Sequence, residues 1–264
     1  MNNRKYKYGC LIVCRNEKDW IQYTLNMVQR HVDVVAIVRG LTSWREGLTN
    51  LDNTDLLISK YVADNDATNI VYEEWGKPTS DEAHRNRCLD ILKKKECDFV
   101  WIVDCDEFYH ERDIEQLIAF CEKNGPEVVG NVYIYALAYW KGFSHLCGSE
   151  RFGPVIASIR KDTHFSYIRN IDQDQQFTLN LFLHHMTAVK TDEMMAEKIK
   201  SWSHSHEVVK DWFLKKWKAW DTNRSITNLH PVSPVLWPGV MEIDKYGLPE
   251  ILHSHPWFRR DVVR

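Results

Sequence analysis

The sequence sets two carboxylates one residue apart, Asp104-Cys105-Asp106, directly after an unbroken apolar run, Phe99-Val100-Trp101-Ile102-Val103. Such a run reads as a strand buried on both faces. In open α/β sheets, ligands gather beyond the carboxyl ends of the strands. Residues i and i+2 of an extended chain point to one side, so the spacing predicts two hard oxygen donors together. That chemistry suits Mg²⁺ or Mn²⁺, whose coordination is usually completed by substrate phosphates. The plainer reading is that the pair ends the strand and caps the next turn.

Three other groups of residues have chemical types worth placing. Arg15-Asn16-Glu17 closes the apolar run 8–14 and would share a rim with Asp104; alternatively, it is a helix cap with flanking charges. Arg85-Asn86 stands in the first half of a helix that precedes the 99–103 strand, again aimed at that rim or simply exposed. Histidines cluster as His184-His185, His204-Ser205-His206 and His253-Ser254-His255. If extended, His253 and His255 would share a face in chelating geometry, although a histidine-only site needs a third ligand. Lys210 to Arg224 interleaves basic and aromatic residues. That pattern suits stacking on single-stranded nucleic acid, but the aromatic spacing favours a helix burying one face.

These residues need a scaffold to hold them, and the first 125 residues alternate strand and helix. Strands are expected at 8–14, 33–38, 69–75 and 98–103. Helices are expected after Asn16, around Leu56 to Tyr61, after Thr79 (with Glu82 completing a capping box) and over about Arg112 to Asn124, stopped by Gly125. The fold class read from this order is α/β, with an open, mostly parallel sheet flanked by helices. The second half mixes strand and helix: strands near 128–140 and 153–160, and helices near 192–202 and 208–221. Five of the eight prolines lie in an irregular tail from Pro231 to Pro256. One domain is the simpler organisation, with a binding half to about 125 and a second half to 264.

Composition excludes some function classes. Of 264 residues, 44% are apolar and 27% charged, as in globular proteins. The net charge of -3 argues against a globally basic nucleic-acid binder. No apolar run approaches the ~20 residues of a membrane span, and the N-terminal segment, broken by Arg15, does not read as a signal peptide. Seven cysteines without a CxxC pair read as reduced, buried thiols of a cytoplasmic protein.

Taken together, the motifs resemble a glycosyltransferase of the GT-A type, close to family 2. Four pieces carry the resemblance, over roughly residues 6–206. They are the first strand ending in Arg15-Asn16-Glu17; Arg85-Asn86-Arg87-Cys88-Leu89; the strand with Asp104-Cys105-Asp106-Glu107-Phe108; and His185-Met186-Thr187 with Lys198 and Trp202-Ser203-His204. The last is similar to a signature of some bacterial and viral members.

The resemblance implies a nucleotide-diphosphate sugar donor and Mn²⁺ or Mg²⁺ held by Asp106, Asp104 and His185, with His184 as the second choice. It implies Lys198 and His204 near the diphosphate, and Arg15, Asn16, Glu17 and Arg85 lining the nucleotide pocket. Asp64 or Asp66 would read the base. An inverting reaction needs a carboxylate base, and Asp172 and Asp174 lie in the right order for it, without the clearer acidic pair of the commonest pattern. A nucleotidyltransferase would normally carry a glycine-rich loop where Cys14-Arg15-Asn16-Glu17 stands. A non-catalytic sugar or nucleic-acid module is the other alternative. The acceptor stays open among a glycan precursor, a protein and modified DNA bases, met in the cytoplasm, at a membrane surface or in an infected cell.

Overall fold

The computed structural model describes residues 4–40, 52–75, 80–201 and 204–264. Thr79 and the Trp202-Ser203 part of the C-terminal signature lie outside the described residues. The chain divides into two compact units: Met1–Ile134 with Phe152–Leu181, and Tyr135–Arg151 with Phe182–Arg264.

Unit 1 begins with the alternation expected from the sequence: β1 (Tyr8–Cys14), α1 (Ile21–Val28), β2 (Val34–Gly40), α2 (Thr54–Asp64), β3 (Ile70–Trp75), α3 (Asp81–Lys94) and β4 (Phe99–Val103). β1, β2 and β4 are apolar and almost wholly buried, as strands covered on both faces must be. The order β3-β2-β1-β4 is parallel throughout, with Ile12 opposite Ile37 on one side and Val103 on the other. The direction of winding reverses between β1 and β4, which makes their carboxyl ends a topological switch point. β4 then pairs antiparallel with β7 (His145–Ser158). The sheet continues through β6 (Asn131–Trp140), β10 (Gln176–Ala188) and the short β5 (Glu107–Tyr109), which the sequence pattern does not signal.

Two helix ends show what the sequence does locally. Ser80, not Thr79, is the residue before α3, and its hydroxyl accepts from the Ala83 N–H at 3.3 Å. α4 (Glu111–Asn124) stops at Gly125, whose φ of 74° is costly for any side-chain-bearing residue. The core of this unit joins Leu11, Val34, Val38, Leu92, Val100 and Ile102 to Phe165 and Ile171 of a small hairpin, β8 (Phe165–Tyr167) and β9 (Asn170–Ile171).

Unit 2 packs around tryptophan. Trp140 makes ring contacts with Trp212, Trp217, Trp220 and Trp237 at centroid distances of 4.9–6.4 Å. α5 (Asp192–Ser201) matches the expected helix. The helix expected over 208–221 is shorter: a wide-turn segment, Phe213–Lys218, runs into a 3₁₀ turn, Ala219–Asp221. Asp211 takes a φ of 59°, so the chain turns just ahead of it. β11 (Met241–Glu242) pairs with β7, and the remaining tail is irregular.

Candidate functional site at the switch point

β4 ends at Val103, and the next residues form a turn in which Asp104 C=O accepts the Glu107 N–H at 3.1 Å. The two carboxylates therefore do not stand on extended chain, which corrects the i, i+2 expectation. Cys105 is buried, and its carbonyl accepts the Thr24 hydroxyl at 2.6 Å, tying the turn to α1. Register brings Cys14 opposite Arg39, so Arg15 to Glu17 and Asp104 follow, and Arg39 stands near, the carboxyl ends of adjacent strands.

Asp104 is held by two guanidiniums. Arg85, in the second turn of α3, donates to both its oxygens at 3.0 and 3.3 Å. Arg169, at the tip of the β8–β9 hairpin, lies 3.6 Å from Oδ2. Burial pushes the Asp104 carboxyl up, but Arg85 and Arg169 overcome it and hold the group below its usual range; the neighbouring Asp106 charge works against them. Arg85 also lies 3.6 Å from Asp81, and its Nη1 is buried without a hydrogen-bond partner among the described residues. Arg169 forks onto Glu107, which is wholly buried, and donates to Ile102 C=O at 2.8 Å. Its guanidinium also sits 4.7 Å from the centre of the Phe152 ring. Burial disfavours the charge on Arg169, and Glu107 and Asp104 more than restore it, so it stays protonated.

Two guanidiniums thus meet four carboxylates: Asp81, Asp104, Glu107 and, through space, Asp106. The cluster's excess of two negative charges and its hard oxygens fit a divalent cation. Asp104 is engaged by Arg85 on both oxygens. Among the described residues, no group of three or more His, Cys, Asp or Glu side chains is placed to hold a metal ion.

The other expected site residues fall as follows. Asn16 does not cap α1, which begins at Ile21; instead its Oδ1 accepts the Asp52 N–H at 3.1 Å, with a φ of 54°. The Glu17 N–H donates to Thr54 at 2.8 Å, so the Arg15-Asn16-Glu17 loop is pinned to the start of α2. Arg15 is buried. Asp64 ends α2, and Asp66 follows it, ahead of β3. They therefore lie at the edge where the parallel strands begin. Asn86 braces the hairpin: its amide donates to Phe165 C=O at 2.9 Å and accepts the Phe165 N–H at 2.7 Å. Asp172 and Asp174 are exposed on the connection from β9 to β10.

In unit 2, His184 is buried, with Nδ1 2.7 Å from the Tyr139 hydroxyl. His185 is partly exposed and influences Glu150, whose carboxyl burial pushes up and His185 draws down. Lys198 donates to the Thr187 carbonyl and hydroxyl at 2.9 and 2.7 Å. His204 Nδ1 is 2.7 Å from Glu207. His253 and His255 do not form a chelating pair, because Glu250–Ser254 is a 3₁₀ helix rather than extended chain. His253 Nε2 meets Leu248 C=O, and His255 Nδ1 accepts the Trp257 N–H. The tryptophans of the stretch 210–224 pack internally, as their spacing suggested, while its cations stay at the surface. Trp212, Trp217 and Trp220 are buried, while Lys215, Lys218 and Arg224 pair with Asp211, Asp192 and Asp261.

Sequence reasoning missed Arg169 and the role of Glu107. Glu107 was visible as the acid following the Asp104-Cys105-Asp106 motif. Arg169 had only a faint signal, a single cation between two short strand-like runs.

No protein-family model matches the chain, and no curated protein does. The solved structures to which the chain is similar include three nucleotide complexes. TarS from S. aureus with UDP is 20% identical, with a TM-score of 0.34, over 52% of this chain and 36% of that one. The mannosyltransferase PcManGT from Pyrobaculum calidifontis, with GDP-Man and Mn²⁺, is 13% identical, with a TM-score of 0.49, over 75% of this chain and 61% of that one. Glucosyl-3-phosphoglycerate synthase from Mycobacterium tuberculosis, with Mn²⁺, UDP and phosphoglyceric acid, is 13% identical, with a TM-score of 0.33. That match covers 52% of this chain and 44% of that one, so each of these matches spans less than two thirds of the neighbour's length. No helix among the described residues is long and apolar enough to cross a membrane.

Proposed function

We propose that the chain is a metal-dependent glycosyltransferase that moves a sugar from a nucleotide-diphosphate donor to an acceptor. The observation that carries this reading is the carboxylate excess at the β1/β4 switch point, built on Asp104 and Asp106 and backed by Arg85. Asp106 would hold Mn²⁺ or Mg²⁺, and the ion would supply charge to offset what grows on a leaving nucleoside diphosphate. Asp104 keeps a fixed negative charge beside it, and Arg85 supplies cationic charge at the same rim. The loop 15–17, pinned by Asp52 and Thr54, is a ready wall for the nucleotide. His185, Lys198 and His204 enter the reading through the sequence resemblance alone. So do Asp172 and Asp174 as acceptor bases for an inverting reaction, which solvent can reach.

Thermal denaturation with UDP, GDP, CDP and their sugars, each with and without Mn²⁺, tests the reading. Ligand at about 100 times its dissociation constant stabilises by about 2.7 kcal/mol. A Mn²⁺-dependent shift with one nucleotide, abolished in Asp106→Asn, is the expected result. No shift with any nucleotide would overturn it.

A further inference from the structure

Arg169 lies outside every motif of the sequence, yet it is the most tightly specified side chain of the site. It forks onto the buried Glu107, donates to the last-but-one carbonyl of β4, covers the Phe152 ring and reaches Asp104. A buried guanidinium held on so many sides has one geometry, unlike an exposed pair that samples several. The backbone that delivers it is itself constrained. Ile168, just ahead of it in the hairpin turn, has a φ of 31°, a costly conformation for a β-branched residue. Strain of this kind persists where surrounding contacts impose it, and it clusters at functional sites. The opposite end of the hairpin is clamped through the Asn86 amide, one residue from Arg85. The two cations on Asp104 therefore come from one braced assembly.

Resting on the donor-site reading above, we propose that Arg169 is a positioning residue. It fixes Asp104 as an arginine-bound carboxylate, so that Asp106 alone gives an inner oxygen to the divalent ion of a metal–nucleotide complex. Glu107 serves the same end by fixing Arg169. The groups behind a metal ligand commonly govern affinity by 10–100-fold when altered, and a lysine cannot reproduce the arginine fork.

The test measures Mn²⁺ affinity by electron paramagnetic resonance on the full chain, with UDP or GDP present, for the unaltered protein, R169K, R169Q, D104N and D104N/R169K. R169K is expected to fold and to change Mn²⁺ affinity about tenfold, because the loosened Asp104 can add a second inner oxygen; R169Q, which also removes a positive charge beside the ion, should bind Mn²⁺ tighter still. In the D104N background, R169K should change the affinity no further, because Arg169 acts through Asp104. A merely structural Arg169 would lower the melting temperature and leave Mn²⁺ affinity of the folded protein within twofold; that result overturns the inference while the donor site stands. Equal R169K effects with and without Asp104 also overturn it. If the unaltered chain shows no nucleotide-dependent Mn²⁺ binding, the donor site falls and the inference with it.

Discussion

Each unit of this protein buries a cation between two carboxylates and an aromatic face. In unit 1, Arg169 lies between Glu107 and Asp104, against Phe152. In unit 2, Lys141, 1% exposed, lies 2.9 Å from Asp221, 3.6 Å from Asp192 and 4.5 Å from the centre of Trp217. The parts are alike and the electrostatic sums are not. Around Lys141 the two aspartates are matched by two lysines, since Lys218 also pairs with Asp192. Around Arg169 the carboxylates outnumber the cations, and Asp104 keeps 32% of its side-chain surface in solvent. The balanced cluster sets its buried lysine against the tryptophan core. The unbalanced cluster at the strand ends is suited to receive positive charge.

The comparison can be broken most sharply at Lys141. Lys141→Ala removes the buried ammonium from Asp221 and Asp192 and empties its place against Trp217, and should cost about 3 kcal/mol in urea unfolding followed by tryptophan fluorescence. A loss too small to measure would remove the structural role given to this cluster. At the other cluster, Asp106→Asn should leave intrinsic stability nearly unchanged. It should forfeit the stabilisation by Mn²⁺ and nucleotide, about 2.7 kcal/mol at 100 times the dissociation constant.

Acid separates the units next. His230 is driven down to about 4, by burial first and then by Lys198 and His204, and its Nδ1 accepts the N–H groups of Val232 and Ser233. A histidine with a depressed folded pKa stabilises fully above its unfolded value. That contribution is lost as pH falls from about 6.5 towards 4. Unit 2 should thus weaken in that window by about 1–2 kcal/mol, allowing for partial exposure, and His230→Asn should flatten the slope. Asp104 is held low by Arg85 and Arg169 against burial, so its contribution persists through that window and disappears only as pH drops through the depressed value. A pH series that weakens both units together above pH 5 would contradict this. The smallest effect is expected at Lys218→Ala: its partner Asp192 keeps Lys141, and the ammonium is largely in water, so unfolding should not measurably change.

Much of unit 1 was legible because parallel strands covered on both faces leave continuous apolar runs, as in β1, β2 and β4. Asp104 was legible because it directly ends such a run. The turn geometry after it was not, since nothing in Asp-Cys-Asp says whether the strand continues. Arg169 comes from 65 positions downstream of Asp104 through a two-residue turn between very short strands, where neither helical nor strand periodicity can build up. The place of Asp64 was not legible, because acidity along the chain says nothing about which end of a helix returns to which edge of the sheet. His253 and His255 misled because chelating spacing holds only on extended chain. The tryptophans of 210–224 were legible as core by spacing, although the turn at Asp211 and the shortened helix were not.

The cysteines have a practical consequence. All seven thiols are unpaired and no more than 5% exposed, and burial drives them up, to about 11 for Cys97 and about 12 for Cys88 and Cys121. Thiolate is the form that electrophiles capture, so the native fold should be silent to maleimide dyes. A single cysteine introduced at exposed Asp172 would then be the one label the folded chain accepts. Fluorophores and spin probes could be placed beside the β8–β9 hairpin without first removing any natural cysteine.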